Sequence, residues 1–434
     1  MCNFLSFGFQ IPDFFSKENL RLCEKGCGLN LCSDSCENSL NHIKECKILR
    51  DLHLQKYDDF CSVLYENFTP IRSLLLNDAD KEVISCLIAH DREEHGHEID
   101  TLKKKLGFQF KEDDENFLKN VCRALDANAF EVALGCETSP SSVKGLYPLG
   151  SLANHSCVPN TMHVFNEKRE MIVKAAVFIP KNSEIFHSYT RIIWGTITRL
   201  FHLHNTKHFI CKCPRCKDPK EFGTYMSAIL CKLCKGVIIP VNQYKAFGKW
   251  QCQDCKNVIA GKEIGELMSL LGSILRDIRN DDFPFMYRFL QGKLKSVVPE
   301  YNQVTVELKY KIVWILGYKS GYSWNELSLE QLRIKEDICQ ELLLLLEKLR
   351  CGQSKMRGLL LYELFCCKRE ITTRTNGRKQ GNVKKITQRN CIQKENVLGF
   401  FFQANPNIEA LFSEAASILE YDITAPMEIK TYRK

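Results

Sequence analysis

The spacing of apolar residues changes character along this chain, and each change marks a boundary. From about Leu54 to Leu125, apolar and charged positions alternate at helical spacing, with Ile84, Leu87 and Ile88 on one face. Between Asn128 and Tyr189 the pattern shifts to short apolar runs broken by turn residues. Gly145 to Pro148, Thr161 to Phe165 and Met171 to Phe178 read as short strands. Beyond about Gly261 the helical period returns. Leu308, Ile312 and Ile315 form one stripe; Ile334, Ile338, Leu342, Leu345 and Leu349 form a second; Ile408, Leu411, Phe412, Ala415 and Ile418 form a third. The third opens with Asn405 as N-cap and Pro406 at the first helical position. These stripes are packing faces of stacked helix hairpins without a clean repeat period. The fold class is therefore α+β, with a small-stranded centre and a helical C-terminal domain.

Composition narrows the reading. A chain of 434 residues with 44% hydrophobic and 26% charged residues is globular and long enough for two or three packed units. Its longest apolar runs, such as Leu342 to Leu346, are too short to cross a bilayer. The N-terminus carries no basic segment followed by a cleavage site, so a soluble intracellular protein of the cytoplasm or nucleus is expected, without membrane partners. Net charge is +8, and much of the excess falls between Lys368 and Arg389, which reads as a solvated loop. No aromatic residues interleave those charges, so direct nucleic-acid binding is not expected.

The 23 cysteines change the picture most. Many fall in C-x-C, C-x2-C and C-x3-C pairs, which can chelate one ion at little cost in loop entropy. Cys61, Cys86, Cys122 and Cys339 stand alone in apolar stretches and read as small buried hydrophobes. Cys231-x2-Cys234 followed by Cys252-x2-Cys255 has the spacing of a four-thiolate zinc ribbon, with Val237 to Pro240 and Trp250 as its hairpin residues. Four thiolates close the coordination sphere, so this site is structural. Cys211-x-Cys213-x2-Cys216 is one ligand short, and Cys157, in Asn154-His-Ser-Cys157, is the candidate fourth. The N-terminal group is Cys23-x3-Cys27, Cys32-x3-Cys36 and His42-x3-Cys46. Six ligands make one full site and one orphan pair, unless Cys2 or a partner completes the second. His90, His95 and His97 lie in a charged stretch and read as a solvated helix end.

At this point the residues match a family. Gly145-Leu-Tyr-Pro-Leu-Gly-Ser-Leu-Ala-Asn-His-Ser-Cys-Val-Pro-Asn160 resembles the first signature of SET-domain methyltransferases of the SET-and-MYND kind. Ser183-Glu-Ile-Phe-His-Ser-Tyr-Thr190 resembles the second, and Phe209-Ile-Cys-Lys-Cys-Pro-Arg-Cys216 the cysteine-rich post-SET segment. The likeness runs from about Cys23 to the C-terminus, and the ribbon is similar to the divergent arthropod branch. It implies a partial MYND-type zinc module over 1–50, a helical SET insert over 51–126, a SET core over 127–192, a post-SET zinc site with the ribbon over 193–260, and a helical, TPR-like domain over 261–434.

The resemblance also implies roles. Asn154, His155, Asn128 and Phe209 would contact S-adenosylmethionine, Phe130 and Tyr189 would line the lysine channel, and Tyr189 would sit where methyl group and amine meet. Cys157, Cys211, Cys213 and Cys216 match the post-SET zinc site; Cys23, Cys27, His42 and Cys46 match one MYND site, and Cys32 with Cys36 half of the other. The implied activity is in-line methyl transfer to a histone or non-histone lysine. A second reading is a catalytically inactive zinc-built module that binds partners, with proline-rich peptides as the family's MYND ligands. Two departures bear on the choice. No Gly-x-Gly turn precedes Cys23, and the leader is too short to supply the first-half SET strands. The MYND module's first cysteine pair is missing on the same side, which favours an N-terminally truncated product.

Overall fold

The computed structural model describes residues 2–5, 21–31, 33–52, 60–87, 97–133, 142–245, 247–278, 282–379 and 406–432. Two compact units emerge. The first comprises Met1–Ala153, Val164–Ile172 and Tyr421–Thr424; the second comprises Asn154–His163, Val173–Glu420 and Ala425–Lys434.

The first unit is mainly helical, with helices Leu40–Asp51, Phe60–Ser73, Asp78–Ser85, His97–Leu106 and Glu112–Asn128. Local chemistry sets several starts. Ser39 and Asn77 cap two of them by accepting from the backbone N–H groups of His42 and Asp80. Four consecutive acids, Glu112 to Glu115, face the positive end of the last helix. The core gathers Leu49, Phe68, Ile71, Leu102, Phe108 and Leu118, and an Arg72–Glu45 ion pair of 2.8 Å is buried beside it.

A three-stranded sheet completes this unit. Ala129–Ala133 pairs antiparallel with Ser142–Leu146, whose other edge pairs in parallel with Cys2–Leu5. The leader supplies one four-residue strand: Cys2 lies opposite Val143, and parallel hydrogen bonding fills an edge that would otherwise stay unpaired. Cys86 is corrected. It closes the helix Asp78–Ser85 and is exposed, because the buried position on that face belongs to Ile84. Ile88, His90 and His95 lie outside the described residues, whereas His97 opens a helix.

In the second unit, two short parallel strands, Asn154–His155 and Phe186–His187, bring the two signature segments side by side. The ribbon follows as four antiparallel strands, Ile229–Leu230, Val237–Pro240, Lys249–Cys252 and Val258–Ala260. Beyond it the described elements are helices, among them Gly261–Asp277, Gln303–Ile315, Leu329–Lys348, Lys355–Lys379 and Pro406–Ile418. Ser328 and Gln331 form a reciprocal capping box at the start of Leu329–Lys348. Lys355–Lys379 packs against both Leu329–Lys348 and Pro406–Ile418. At Gly358 a Cβ would come within 2.8 Å of Ile418 and Leu419, so glycine sets that close approach. Lys368 to Lys379 is thus helix, contrary to the loop reading; the remainder of that stretch and Asn405 lie outside the described residues. Among the described residues, no helix is long and apolar enough to cross a membrane.

Candidate functional site

The site is built where the two signature segments are stapled together. Asn160 does much of this. Its amide nitrogen donates to the Glu184 carbonyl at 2.7 Å, and its amide oxygen accepts from the Phe186 N–H at 2.8 Å. The Ser156 N–H donates to the His187 carbonyl at 2.9 Å, and Thr161 Oγ1 donates to the Phe186 carbonyl at 2.8 Å. The first segment therefore holds the second in parallel register, and Tyr189 follows immediately.

His155 links this pair to the cysteines. Its Nδ1 accepts from the Tyr189 backbone N–H at 2.9 Å, which leaves the proton of a neutral ring on Nε2. That nitrogen lies 3.1 Å from Cys157 Sγ, as a donor to a thiolate would. One side chain thus fixes both a sulfur and the backbone of the candidate catalytic tyrosine. The His155 ring is 5.2 Å from the Tyr189 ring and 5.8 Å from the Phe209 ring, forming a half-buried aromatic wall. Burial pushes the Tyr189 phenol above its ordinary range, so it stays a neutral hydroxyl at physiological pH. Asn154 is exposed, and its amide nitrogen donates to Glu184 at 2.7 Å, which leaves the amide oxygen to accept.

Cys157, Cys211, Cys213 and Cys216 bring their sulfurs within 4.8 Å of one another. Cys157 Sγ is 3.9 Å from that of Cys211 and 3.5 Å from that of Cys216. Tetrahedral zinc with ordinary Zn–S bonds needs sulfurs about 3.8 Å apart, so the donor set fits that ion. Hydrogen bonds from Cys211, Cys213 and Cys216 hold the Cys157 thiol far below its ordinary range. The ribbon sulfurs of Cys231, Cys234, Cys252 and Cys255 converge equally, with contacts of 3.7 and 3.5 Å. In the first unit, Cys23, Cys27, His42 and Cys46 are all buried and converge likewise, with Cys23 Sγ 3.8 Å from Cys46 Sγ and 3.3 Å from His42 Nε2. Cys36 sits in the short helix Asp34–Glu37, and Cys32 lies outside the described residues.

Asn128 and Phe130 belong to the first unit. Asn128 ends its helix and donates to the Ala124 carbonyl at 2.9 Å; Phe130 stands edge-on to Tyr147, 6.1 Å between centroids. Sequence reasoning gave no role to Asn160, Glu184, Arg199, Arg215 or Glu221. Asn160 stands inside the first signature segment, where its motif position could have drawn attention. Glu184 and Arg215 likewise lie inside the second signature and the post-SET segment, whereas Arg199 and Glu221 stand outside all three motifs.

A family model for the SET domain matches residues 32–190. The SET domain-containing protein SmydA-8, isoform B, of Drosophila melanogaster is 29% identical over 354 residues, covering 80% of this chain and 78% of that protein. A SET domain is thus present, and the homologues support membership of the SET and MYND family. The histone-lysine N-methyltransferase ASHR1 of Arabidopsis thaliana is 28% identical over 288 residues, covering 60% of this chain and 58% of its own. The histone-lysine N-methyltransferase SMYD3 of Mus musculus is 28% identical over 140 residues, or 32% and 31% of the two chains. These likenesses support a lysine methyltransferase family, whose substrates are proteins.

Proposed function

We propose that this chain is an S-adenosylmethionine-dependent protein-lysine N-methyltransferase with Tyr189 as its catalytic residue. The observation that carries the reading is His155, which fixes Tyr189 through one ring nitrogen and the Cys157 thiolate through the other. The donor, when bound, supplies an activated methyl group on a sulfonium centre. The chain's own residues supply placement. In-line displacement gains most from holding the reacting atoms collinear, and a tyrosine pinned at its backbone suits that task. The faces of Tyr189, Phe209 and His155 exclude water and favour cationic groups. Desolvation beside them favours the neutral, nucleophilic form of a lysine. The neutral phenol of Tyr189 can orient the attacking amine by hydrogen bonding. The Asn154 oxygen, with its nitrogen engaged by Glu184, suits the amine groups of the donor. Zinc at Cys157, Cys211, Cys213 and Cys216 would be structural, since four thiolates leave no open position.

Purified protein should be stabilised against heat by S-adenosylmethionine in proportion to occupancy. Asn154→Ala should lose that response. Tyr189→Phe should keep it while losing methyl transfer to a lysine peptide by about 100-fold. A flat response of the wild-type protein at saturating donor would instead support the zinc-built interaction module, whose ligands would be proline-rich peptides.

A further inference from the structure

A buried charge network stands behind the Cys157 cluster. The side chains of Arg199 and Arg215 are 0% exposed and that of Glu221 is 1% exposed. Ions removed so fully from water are costly unless each is matched. The Glu221 Oε2 atom lies 3.0 Å from Arg199 Nη1 and 3.2 Å from Arg215 Nη2. Its Oε1 accepts from the Thr196 N–H at 3.1 Å and the Ser227 hydroxyl at 2.7 Å. Burial alone would raise this carboxyl; Arg199 and then Arg215 outweigh it and hold Glu221 below the usual carboxylate range.

Arg199 Nη2 also donates to Thr196 Oγ1 at 2.8 Å and Arg215 Nη2 to Met226 Sδ at 3.0 Å, and the remaining contacts reach the cluster and a backbone turn. Arg199 Nη2 donates to Cys216 Sγ at 3.6 Å. Arg199 Nη1 and Arg215 Nη2 both donate to the Trp194 carbonyl, at 2.5 and 2.8 Å, and Arg215 Nη1 donates to the Ile192 carbonyl at 2.8 Å. Ile192 and Trp194 belong to the turn that leaves Tyr189. Arg199 therefore reaches both that turn and a sulfur of the cluster, and Arg215 holds the turn beside it. A divalent ion with four thiolates keeps surplus negative charge, and the network carries one surplus positive charge next to it.

We propose that Arg199, backed by Arg215 and Glu221, is a positioning residue that couples zinc held at Cys157, Cys211, Cys213 and Cys216 to the placement of the Tyr189 turn. The inference rests on the zinc reading of that cluster. Outer-shell partners of this kind change metal affinity by about 10–100-fold. A buried ion pair that only fills space would not distinguish the charge of Arg199 from its bulk.

The test follows zinc release from the full chain to a colorimetric chelator, with each cysteine trapped by alkylation and located by peptide mass. Arg199→Met should release zinc about 10–100-fold faster and expose Cys157, Cys211, Cys213 and Cys216 alone to alkylation. Arg199→Lys, which keeps the charge, should recover most of that loss. Glu221→Gln, which leaves Arg199 and Arg215 buried without their counter-ion, should also speed release. Amide exchange supplies the second reading: in the wild type, the peptide spanning Tyr189 to Trp194 should exchange faster once those four cysteines become reactive. The coupling is overturned if Arg199→Met and Arg199→Lys behave alike, if Arg199→Met matches the wild type, or if that peptide's exchange is indifferent to metal. Should Arg199→Met fail to fold, Arg199→Lys, Glu221→Gln and the wild-type exchange measurement still decide. A wild-type protein holding no zinc at these cysteines overturns the metal reading itself, and this inference with it.

Discussion

His155 and Lys335 show how differently single residues announce themselves. His155 draws attention because it stands in the first signature segment, although its contact with Cys157 Sγ at 3.1 Å was not expected from the sequence. Lys335 draws none. The stripe of Ile334, Ile338 and Leu342 assigns a lysine beside it to solvent, yet Lys335 and Glu363 have 0% side-chain exposure and pair at 2.6 Å. Lys335 also donates to the Leu316 carbonyl at 2.5 Å and lies 4.1 Å from the centre of the Trp324 ring. Tyr318 donates to the other oxygen of Glu363 at 2.5 Å. Periodicity counts apolar residues and cannot register an ion whose partners come from three other segments. Removing one member strands the other charge in the core, so Lys335→Met should lower stability by about 3–5 kcal/mol in chemical denaturation. The double variant Lys335→Met with Glu363→Leu should regain most of it. Equal losses in the single and double variants would show that packing, not the ion pair, sets the cost.

Elements were legible where covalent spacing or a hydrophobic period decides them, and obscure where tertiary partners do. The ribbon belongs to the first kind. Two C-x2-C pairs demand two knuckles, and the strands between them leave room for little else. The helix over Lys368 to Lys379 belongs to the second. Its threonines, Asn376 and Gly377 weaken helix propensity, but Thr372, Thr373 and Thr375 bond back to carbonyls four residues earlier. Arg374 donates to the carbonyls of Trp324 and Leu327, and Lys368 pairs with Glu336 at 2.7 Å. The strand Cys2–Leu5 is also of this kind, since its pairing partner lies beyond residue 140. The ribbon's own apolar interior is small, with Ile229, Ile238, Ile239 and Trp250 buried among strands of two to four residues. So few side chains cannot offset the ordering cost of the chain without the metal. Cys252→Ser should therefore remove one zinc per chain and open the segment from Ile229 to Ala260 to protease. Protection equal to the wild type would mean that the strands hold without their ion.

Across the whole molecule, metal-ligating geometry is unevenly distributed. Among the described residues, three clusters of four ligands converge, and all lie between Cys23 and Cys255. The helices from Gly261 onward carry none of these ligands. Their interior is instead mainly apolar around the Lys335–Glu363 pair, with Leu308, Ile312, Leu342, Leu345, Phe365 and Phe412 buried. The change from paired cysteines to helical stripes near Gly261 was readable in the sequence; which clusters share an interior was not, because spacing says nothing of packing. The division has an energetic consequence. Zinc bound by a folded site contributes its binding energy to folding, so its removal destabilises the parts that hold it. The helical part draws its stability from apolar burial and should be indifferent by comparison. Metal analysis should find three zinc ions per chain, as the three ligand sets require. Stripping them with a strong chelator should abolish any stabilisation by S-adenosylmethionine and lower the first thermal transition. Most of the far-UV helical signal should survive, and limited proteolysis should leave a fragment beginning near Gly261. Collapse of the helical signal in step with zinc loss would show that the C-terminal helices depend on the metal-built parts, against the reading that their buried stripes suffice.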